Sequence, residues 1–275
     1  MTSESRITRG LRPGDEALHL ASRLEEGGDA WLVQVVDDPS GRLTGQRIVR
    51  WREPGTATGG VGSLGSGALD RAVEDLLERQ PKRGLHPLVE SLQVYVEYFP
   101  ATPRLLIVGA GHIARPLAQV GHLLGYRVEV LDDRPAFLIA SNFPHAQRLV
   151  TVDFADPFRD ISLGASAHLI LVTRGHKYDY ECLRRALVDP HPPAYIGMIG
   201  SRRRVRATYV QLEREGIPPE AIAAIRAPIG LDLGAETPEE IAVSIAAELV
   251  LLARGGTGVP LRDQERVAER FGGTP

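Results

Sequence analysis

Three short stretches of this chain carry residue types suited to holding an anion. The first, LLIVGAGHIARPLA, sets Gly109, Gly111 and Ala114 in the spacing G-x-G-x-x-A, after an apolar run that reads as a strand and at the start of a helical stretch. In such a loop the first glycine permits a tight turn, the second lets a phosphate approach the backbone, and the small third residue lets helix pack on strand. Free amides and the helix dipole then favour negative charge. His112 lies inside the loop, facing either ligand or solvent. Asp132 and Asp133 close the next strand (VEVLDD), from where a carboxylate can bond a ribose 2′-hydroxyl. The second stretch, TRGH, brings Arg174 and His176 to the end of another strand, with Asp179 following. His176 can hydrogen-bond a ring or move a proton with Asp179 orienting it; alternatively Asp179 caps a helix and His176 is a surface residue. The third, IGSRRRVR, sets Gly200 and Ser201 before Arg202, Arg203, Arg204 and Arg206. Cations at a helix N-terminus oppose the dipole, and guanidinium groups grip phosphate oxygens in a fork. The run therefore reads either as an anion-binding edge or as a solvated face paired with Glu213 and Glu215, with Ser201 as a simple N-cap.

The elements that must position these residues alternate. Strands are expected at Leu105 to Val108, Arg127 to Leu131, Leu149 to Val152, His168 to Thr173 and Tyr195 to Ile199. Helices are expected at Ile113 to Leu124, near Tyr180 to Val188, and at Arg203 to Glu215. This alternation predicts an α/β fold with a Rossmann-like, doubly wound parallel sheet, whose ligands bind outside the carboxyl ends of the strands. All three stretches fall there. A last helix should start after Thr237, where TPEE offers an N-cap, a proline in the first turn and two acids, and should stop at Gly255-Gly256. Its apolar positions permit a homodimer. In the loop before it, Asp232 and Glu236 read as structural hydrogen-bonding groups.

The first hundred residues read as a smaller α+β domain. Strands are expected at Trp31 to Val36, Arg47 to Trp51 and Leu92 to Phe99. A glycine-rich loop (Gly59, Gly60, Gly62, Gly65, Gly67) precedes a helix with Leu69, Val73, Leu76 and Leu77 at helical spacing. Two prolines between Phe99 and Pro103 favour an extended boundary. The expected organisation is 1–100, 101–256 and a polar tail at 257–275.

A net charge of -3 with a sequence pI near 6.3 argues against a general nucleic-acid binder. The single cysteine, Cys182, rules out an internal disulfide and a thiolate-rich metal site, and this usage suits a reducing cytosol, so a cytoplasmic location is expected. MTSESRITRG has no apolar core of a signal peptide, and no run reaches the ~18 apolar residues a membrane span needs. Cys182 in YECLRRAL reads as a core residue, though it is the only thiol able to carry sulfur. These patterns leave open an NAD(P)-dependent oxidoreductase and a nucleotide-sensing regulatory subunit, although no obvious hydride-transfer acid or base accompanies the loop.

Four segments in order, RLLIVGAGHIARPLA, LVTRGHKYD, YIGMIGSRRR and APIGLDLGAETPEEIAVSIAAEL, resemble the C-terminal domain of the XdhC/CoxI family, the xanthine dehydrogenase accessory factors. The resemblance is dense over 104–254 and weaker before it. There GSLGSGALD, residues 62–70, is similar to the family's glycine-rich stretch, with Ser66 and Asp70 where Gly and Glu are common and Ala68 where some members carry cysteine. The resemblance implies a non-catalytic maturation factor. It would bind the molybdenum cofactor while a cysteine desulfurase installs a terminal sulfur, then pass it to a xanthine dehydrogenase-type molybdenum hydroxylase. The expected cofactor-binding residues are Gly109, Gly111, His112, Ala114, Asp132, Arg174, His176, Gly200, Ser201, Arg202 and Arg203, with NAD(P) as the alternative ligand. No catalytic residue, metal ligand, nucleic-acid partner or membrane contact is expected, and Ala68 implies that this chain does not itself transfer sulfur.

Overall fold

The computed structural model describes residues 14–25, 28–52, 59–89 and 92–264, and the chain divides into two units, one drawn mainly from residues 1–104 and one mainly from 105–275. The first unit opens with α1 (Asp15–Glu25) and has five strands: β1 (Asp29–Asp37), β2 (Arg47–Arg52), β3 (Gly59–Val61), β4 (Gly84–Val89) and β5 (Leu92–Phe99). They form an antiparallel sheet in the order β3-β2-β1-β5-β4. Alternate residues of the strands, among them Val33, Val35, Ile48, Val94 and Val96, meet Val73 and Leu77 of α2 (Gly67–Glu78) in one buried cluster. Helix α2 starts where Ser66 accepts a hydrogen bond from the Leu69 amide. Asp70 accepts from the Ser63 hydroxyl (2.7 Å) and the Leu64 amide (2.8 Å), so Ser66 and Asp70 together fasten the glycine-rich stretch to the helix.

Part of that stretch is a strand, since Gly59–Val61 pairs with β2. Helix α1 and strand β4 are also additions to the sequence reading. The latter, GLHPLV, ends its sheet, carries a proline and turns Leu85 and Val89 to solvent, so no alternation marks it.

The second unit contains β6 (Arg104–Val108), α3 (Ala114–Leu123), β7 (Arg127–Asp132), β8 (Arg148–Thr151), β9 (Ala167–Leu171), α4 (His176–Leu187), β10 (Tyr195–Met198) and α5 (Arg202–Arg214). The short α6 (Pro219–Ala223), the long α7 (Pro238–Arg254) and the short α8 (Leu261–Gln264) follow. Residues 265–275 of the expected tail lie outside the described residues. The strands form one sheet in the order β10-β9-β6-β7-β8, with β7–β8 and β9–β10 paired in parallel. The fold is the expected α/β, Rossmann-like one. The chain winds outward from β6 through β7 and β8, then returns to the other side of β6 with β9 and β10. That reversal opens a crevice outside the carboxyl ends of β6 and β9.

The near-continuous apolar runs of β6 and β9 are buried along their length, as strands covered on both faces require. Helices α3 and α7 pack together over the sheet, where Leu117, Ala118, Ala242, Ile245 and Leu249 join Leu105, Ile107, Val128 and Ile170. Two buried polar groups on α7 tie down the loop before it. Ser244 donates to the Leu231 carbonyl (2.6 Å), and Glu248 accepts from the Tyr195 hydroxyl (2.6 Å) and the Gly230 amide (2.8 Å). Asp232 and Glu236 are not what orders this loop, whose fixed points are Ser244 and Glu248. Val243, Val250 and Leu252 of α7 face solvent. No helix among the described residues is long and apolar enough to cross a membrane.

The start of α7 is a reciprocal cap: Thr237 accepts from the Glu240 amide, and the Glu240 carboxylate accepts from the Thr237 amide (2.9 Å). Gly255, left-handed at φ +69°, ends the helix. Thr237→Ala removes one side of this cap and is expected to cost about 1 kcal/mol, read as an earlier denaturant midpoint with an unchanged slope.

Candidate functional site

The loop after β6 is fastened on both sides and open above. Gly109 has φ +108°, and a Cβ there would lie 2.6 Å from the Val172 carbonyl oxygen at the end of β9. Glycine is therefore required by backbone conformation and by packing. The Gly109 amide donates to the Leu131 carbonyl (2.7 Å), and the next amide, of Ala110, donates to the Asp132 carboxylate (2.7 Å). Ala110 and Ala114 are fully buried, so neither can be larger without displacing the core. Gly111 differs: a Cβ built there meets nothing within 4 Å. The protein's own packing has no need of a glycine at this position, and the space beside it is available to a ligand. The helix that follows has Ile113 at its N-cap with no side-chain cap hydrogen bond, leaving its first amides to another acceptor. His112 is exposed beside the turn.

Asp132 serves the loop itself. Its buried carboxylate accepts from the Ala110 amide, from the Arg134 amide (3.0 Å), and from Arg134 Nε (2.8 Å) and Nη2 (2.9 Å). Burial raises its pKa, but the Arg134 guanidinium and the two amides outweigh burial and hold it at about 2. The ribose contact expected of Asp132 is therefore taken up by protein donors, and the outward acid is its neighbour. Asp133 is partly exposed and receives both arms of Arg174, at 2.6 and 2.7 Å. Arg174 also donates to the Tyr178 hydroxyl (2.7 Å) and lies 4.2 Å over that ring. This arginine at the strand end is thus braced by Asp133 and Tyr178, and the Asp133 hydrogen bond raises its pKa further.

The arginine run divides. Ser201 is the N-cap of α5, accepting from the Arg204 amide (3.3 Å). Arg202 and Arg203 are exposed in its first turn, where no acid accompanies them. Arg204 points inward and bonds the fully buried Asp179 of α4. Asp179 also accepts from the buried Thr173 hydroxyl (2.5 Å). Burial raises the Asp179 carboxyl, opposed by Thr173 and Arg204. Asp179 does not cap α4, whose N-cap is Gly175, and its two oxygens are engaged by Thr173 and Arg204, so it does not orient the exposed His176.

Gly109 to Ala114, Arg174 to His176 and Gly200 to Arg203 thus follow β6, β9 and β10, three adjacent strand ends. The sequence reading missed Thr173, Arg134 and Tyr178, the braces of this edge; a basic residue two positions after a strand-end acid was the signal for Arg134. Cys182 lies fully buried in α4, and burial, with the nearby Asp179 and Glu181 charges, pushes its thiol well up. No cluster of three or more His, Cys, Asp or Glu among the described residues is placed to hold a metal.

Residues 105–249 match the XdhC Rossmann domain. Over 260 residues the chain is 30% identical to the uncharacterized protein YqeB of Escherichia coli (strain K12), covering 86% of this chain and 46% of that one. Over 181 residues it is 28% identical to a Bacillus subtilis (strain 168) protein named as a probable xanthine dehydrogenase subunit, covering 66% and 52%. The chain spans about half the length of these curated relatives. A crystal structure described as a xanthine dehydrogenase from Bacillus halodurans shares the fold, with a TM-score of 0.62 at 24% identity over 94% of this chain and 70% of that one.

The split arginine run predicts opposite mutational costs. Arg204→Ala leaves Asp179 buried without its cation and should cost about 3–5 kcal/mol at neutral pH. Asp179, already raised by burial, then rises further, so stability is fully present below its unfolded pKa of about 4 and is lost as pH rises through the folded value. The deficit, measured by denaturant unfolding, should therefore shrink on acidification. Arg202→Ala with Arg203→Ala should stay within about 0.5 kcal/mol of the parent.

Proposed function

The chain belongs to the XdhC family, and from that premise we propose that it binds the molybdenum cofactor and holds it for sulfuration and insertion into a xanthine dehydrogenase-type molybdenum hydroxylase. The observation that carries this reading is the open space at Gly111, in a loop fixed on one side by Val172 and on the other by Asp132. The cofactor ends in a phosphate, and the uncapped start of α3 offers amides and a helix dipole to an anion there. Arg202 and Arg203, in the first turn of α5 after β10, supply exposed cations that local helix electrostatics disfavour and an anionic ligand would relieve. His112 and His176, both exposed on the same edge, are available to bond ligand oxygens or ring nitrogens. The redox chemistry the cofactor supplies belongs to the client enzyme; the residues here bind, orient and shield. The relative named for xanthine dehydrogenase supports the class of client.

This chain holds the cofactor and does not carry its sulfur. A sulfur carrier needs an accessible thiolate. Cys182 is sealed in the core with its thiol pushed up. Position 68, exposed in the first turn of α2 where a thiol would be activated by the helix N-terminus, is alanine. The sulfur then comes from a partner of the cysteine desulfurase class.

Two variants test these statements. Gly111→Val should fold as the parent does, because a Cβ there has no protein atom within 4 Å, yet should lower bound cofactor at least tenfold, about 1.4 kcal/mol. The readout is the fluorescence of oxidised pterin released from gently purified protein. An unchanged pterin yield from the folded variant would place the ligand elsewhere. Cys182→Ala should still support activation of a molybdenum hydroxylase by a cysteine desulfurase in a reconstituted assay; loss of activation with the fold intact would make Cys182 a carrier.

A further inference from the structure

Helix α7 is apolar nearly all the way round. From Ile241 to Ala253 its only polar residues are Ser244 and Glu248, and both are buried, bonded to the Leu231 carbonyl and to Tyr195 and Gly230. One face packs on the sheet and α3 through Ala242, Ile245 and Leu249. The opposite face has no such cover: Val243 is 51% exposed and Val250 43%. A surface helix ordinarily turns polar and charged groups to water on that side, and a helix apolar all round is a buried one.

The exposed face is a single stripe with a charge at each end. Glu239, Val243, Ala247, Val250 and Arg254 recur at helical spacing and so share one side of the helix. Glu240, the other acid of the first turn, is committed to the cap with Thr237, whereas Glu239 is exposed and enters no ion pair among the described residues. Arg254, in the last turn, is likewise exposed and outside any such pair. The residues one turn inward of each are apolar, so neither charge finds a partner on its own helix.

Reversed, the stripe is its own complement. Val243 and Val250 stand at equal distances from the point between Ala246 and Ala247, and so do Glu239 and Arg254. Two copies of α7 laid antiparallel across that point set each Val243 on the partner's Val250 and each Glu239 beside the partner's Arg254. Alanine at the crossing lets the two helices approach closely. Laid parallel, the same stripe would set Glu239 against Glu239 and Arg254 against Arg254. A two-fold contact requires this reciprocity, in which the residue that meets its counterpart on one side is met by it on the other.

We propose that this face is the contact between two copies of the chain, a two-fold pair of antiparallel α7 helices closed at each end by a Glu239–Arg254 ion pair. The valines supply the apolar centre, and the ion pairs at the rim set orientation and register more than affinity. The stripe is about 22 Å long at ~1.5 Å per residue. That makes a small interface, so the pair is reversible and forms as concentration rises. The inference stands apart from the cofactor reading.

Sedimentation equilibrium of the full chain tests this. The average mass of the parent should rise from one chain toward two across the micromolar range. Glu239→Arg alone should weaken association at least tenfold, since both ends then set arginine against arginine. Arg254→Glu alone should do the same with glutamate against glutamate. An equimolar mixture of the two variants should recover the parent's association, because in the mixed pair both ends again set arginine against glutamate. That recovery shows both variants to be folded, and a charge acting only on its own helix end could not produce it. Val250→Asp should leave a monomer with the circular dichroism of the parent. A parent that stays monomeric at all concentrations would overturn the proposal and leave the face to a different partner. A dimer that survives both charge reversals and Val250→Asp, or a mixture no more associated than its separate variants, would overturn it as well.

Discussion

The hydrogen bond from the Ala110 amide to the buried Asp132 carboxylate is the constraint on which the ligand edge depends. A buried carboxylate persists as an anion only where donors surround it, and Asp132 has four, three of them from Arg134. With that charge settled, the loop after β6 is fixed at one amide while Gly109 presses on the backbone of Val172 at its other side. The space over Gly111 is what this leaves open. The same arrangement turns Asp133 outward, where it braces Arg174 and forms one wall of a neighbouring cavity. One inward acid therefore decides both the shape of the anion loop and the chemistry of the next position.

Asp179 and Arg204 repeat this logic one strand away. Two helices begin at the ends of β9 and β10, and the Asp179–Arg204 pair, with the Thr173 hydroxyl, joins α4 to α5. Breaking such a pair is costly because a lone buried charge is left behind. This accounts for one arginine of a run whose net effect at a helix N-terminus would otherwise be unfavourable. Arg202 and Arg203 have no such inward partner and stay at the surface, so the run combines a structural residue with two available cations.

The doubly wound parallel sheet and the capping of α7 were legible because each leaves a local mark: apolar runs buried on two faces, a glycine pattern at fixed offsets, and Thr-Pro-Glu-Glu before a long apolar helix. The edge strand β4 and the five-residue α6 were not, since a short or edge element buries too little to impose a period on its residues; the eleven-residue α1, whose Leu20 and Leu24 recur at helical spacing, carried a period that went unread. Positions of the site residues were legible and their partners were not. A strand-end acid is visible as Asp132, but whether its oxygens face a ribose or an amide of the preceding loop depends on where Arg134 turns. In the same way RRRVR shows no difference between Arg203 and Arg204 until the helix places one of them opposite Asp179. The cavity lined by Asp133 left no mark at all, because its walls come from four separate segments.

The distribution of polar groups along the edge also bears on the proposed role of holding a reactive ligand without acting on it. The strongly perturbed groups there are engaged by protein: Asp132 by Arg134, Arg174 by Asp133, Asp179 by Arg204. Groups so engaged are poor proton carriers, because moving a proton would cost the pair as well as the charge. The thiol is sealed away. What the edge presents is backbone amide, exposed imidazole and exposed guanidinium, groups that can bind and release a ligand through hydrogen bonds and charge. For the proposed role of a holder that gives up its ligand to a client, weak, separable contacts on a rigid edge serve better than one deep bond.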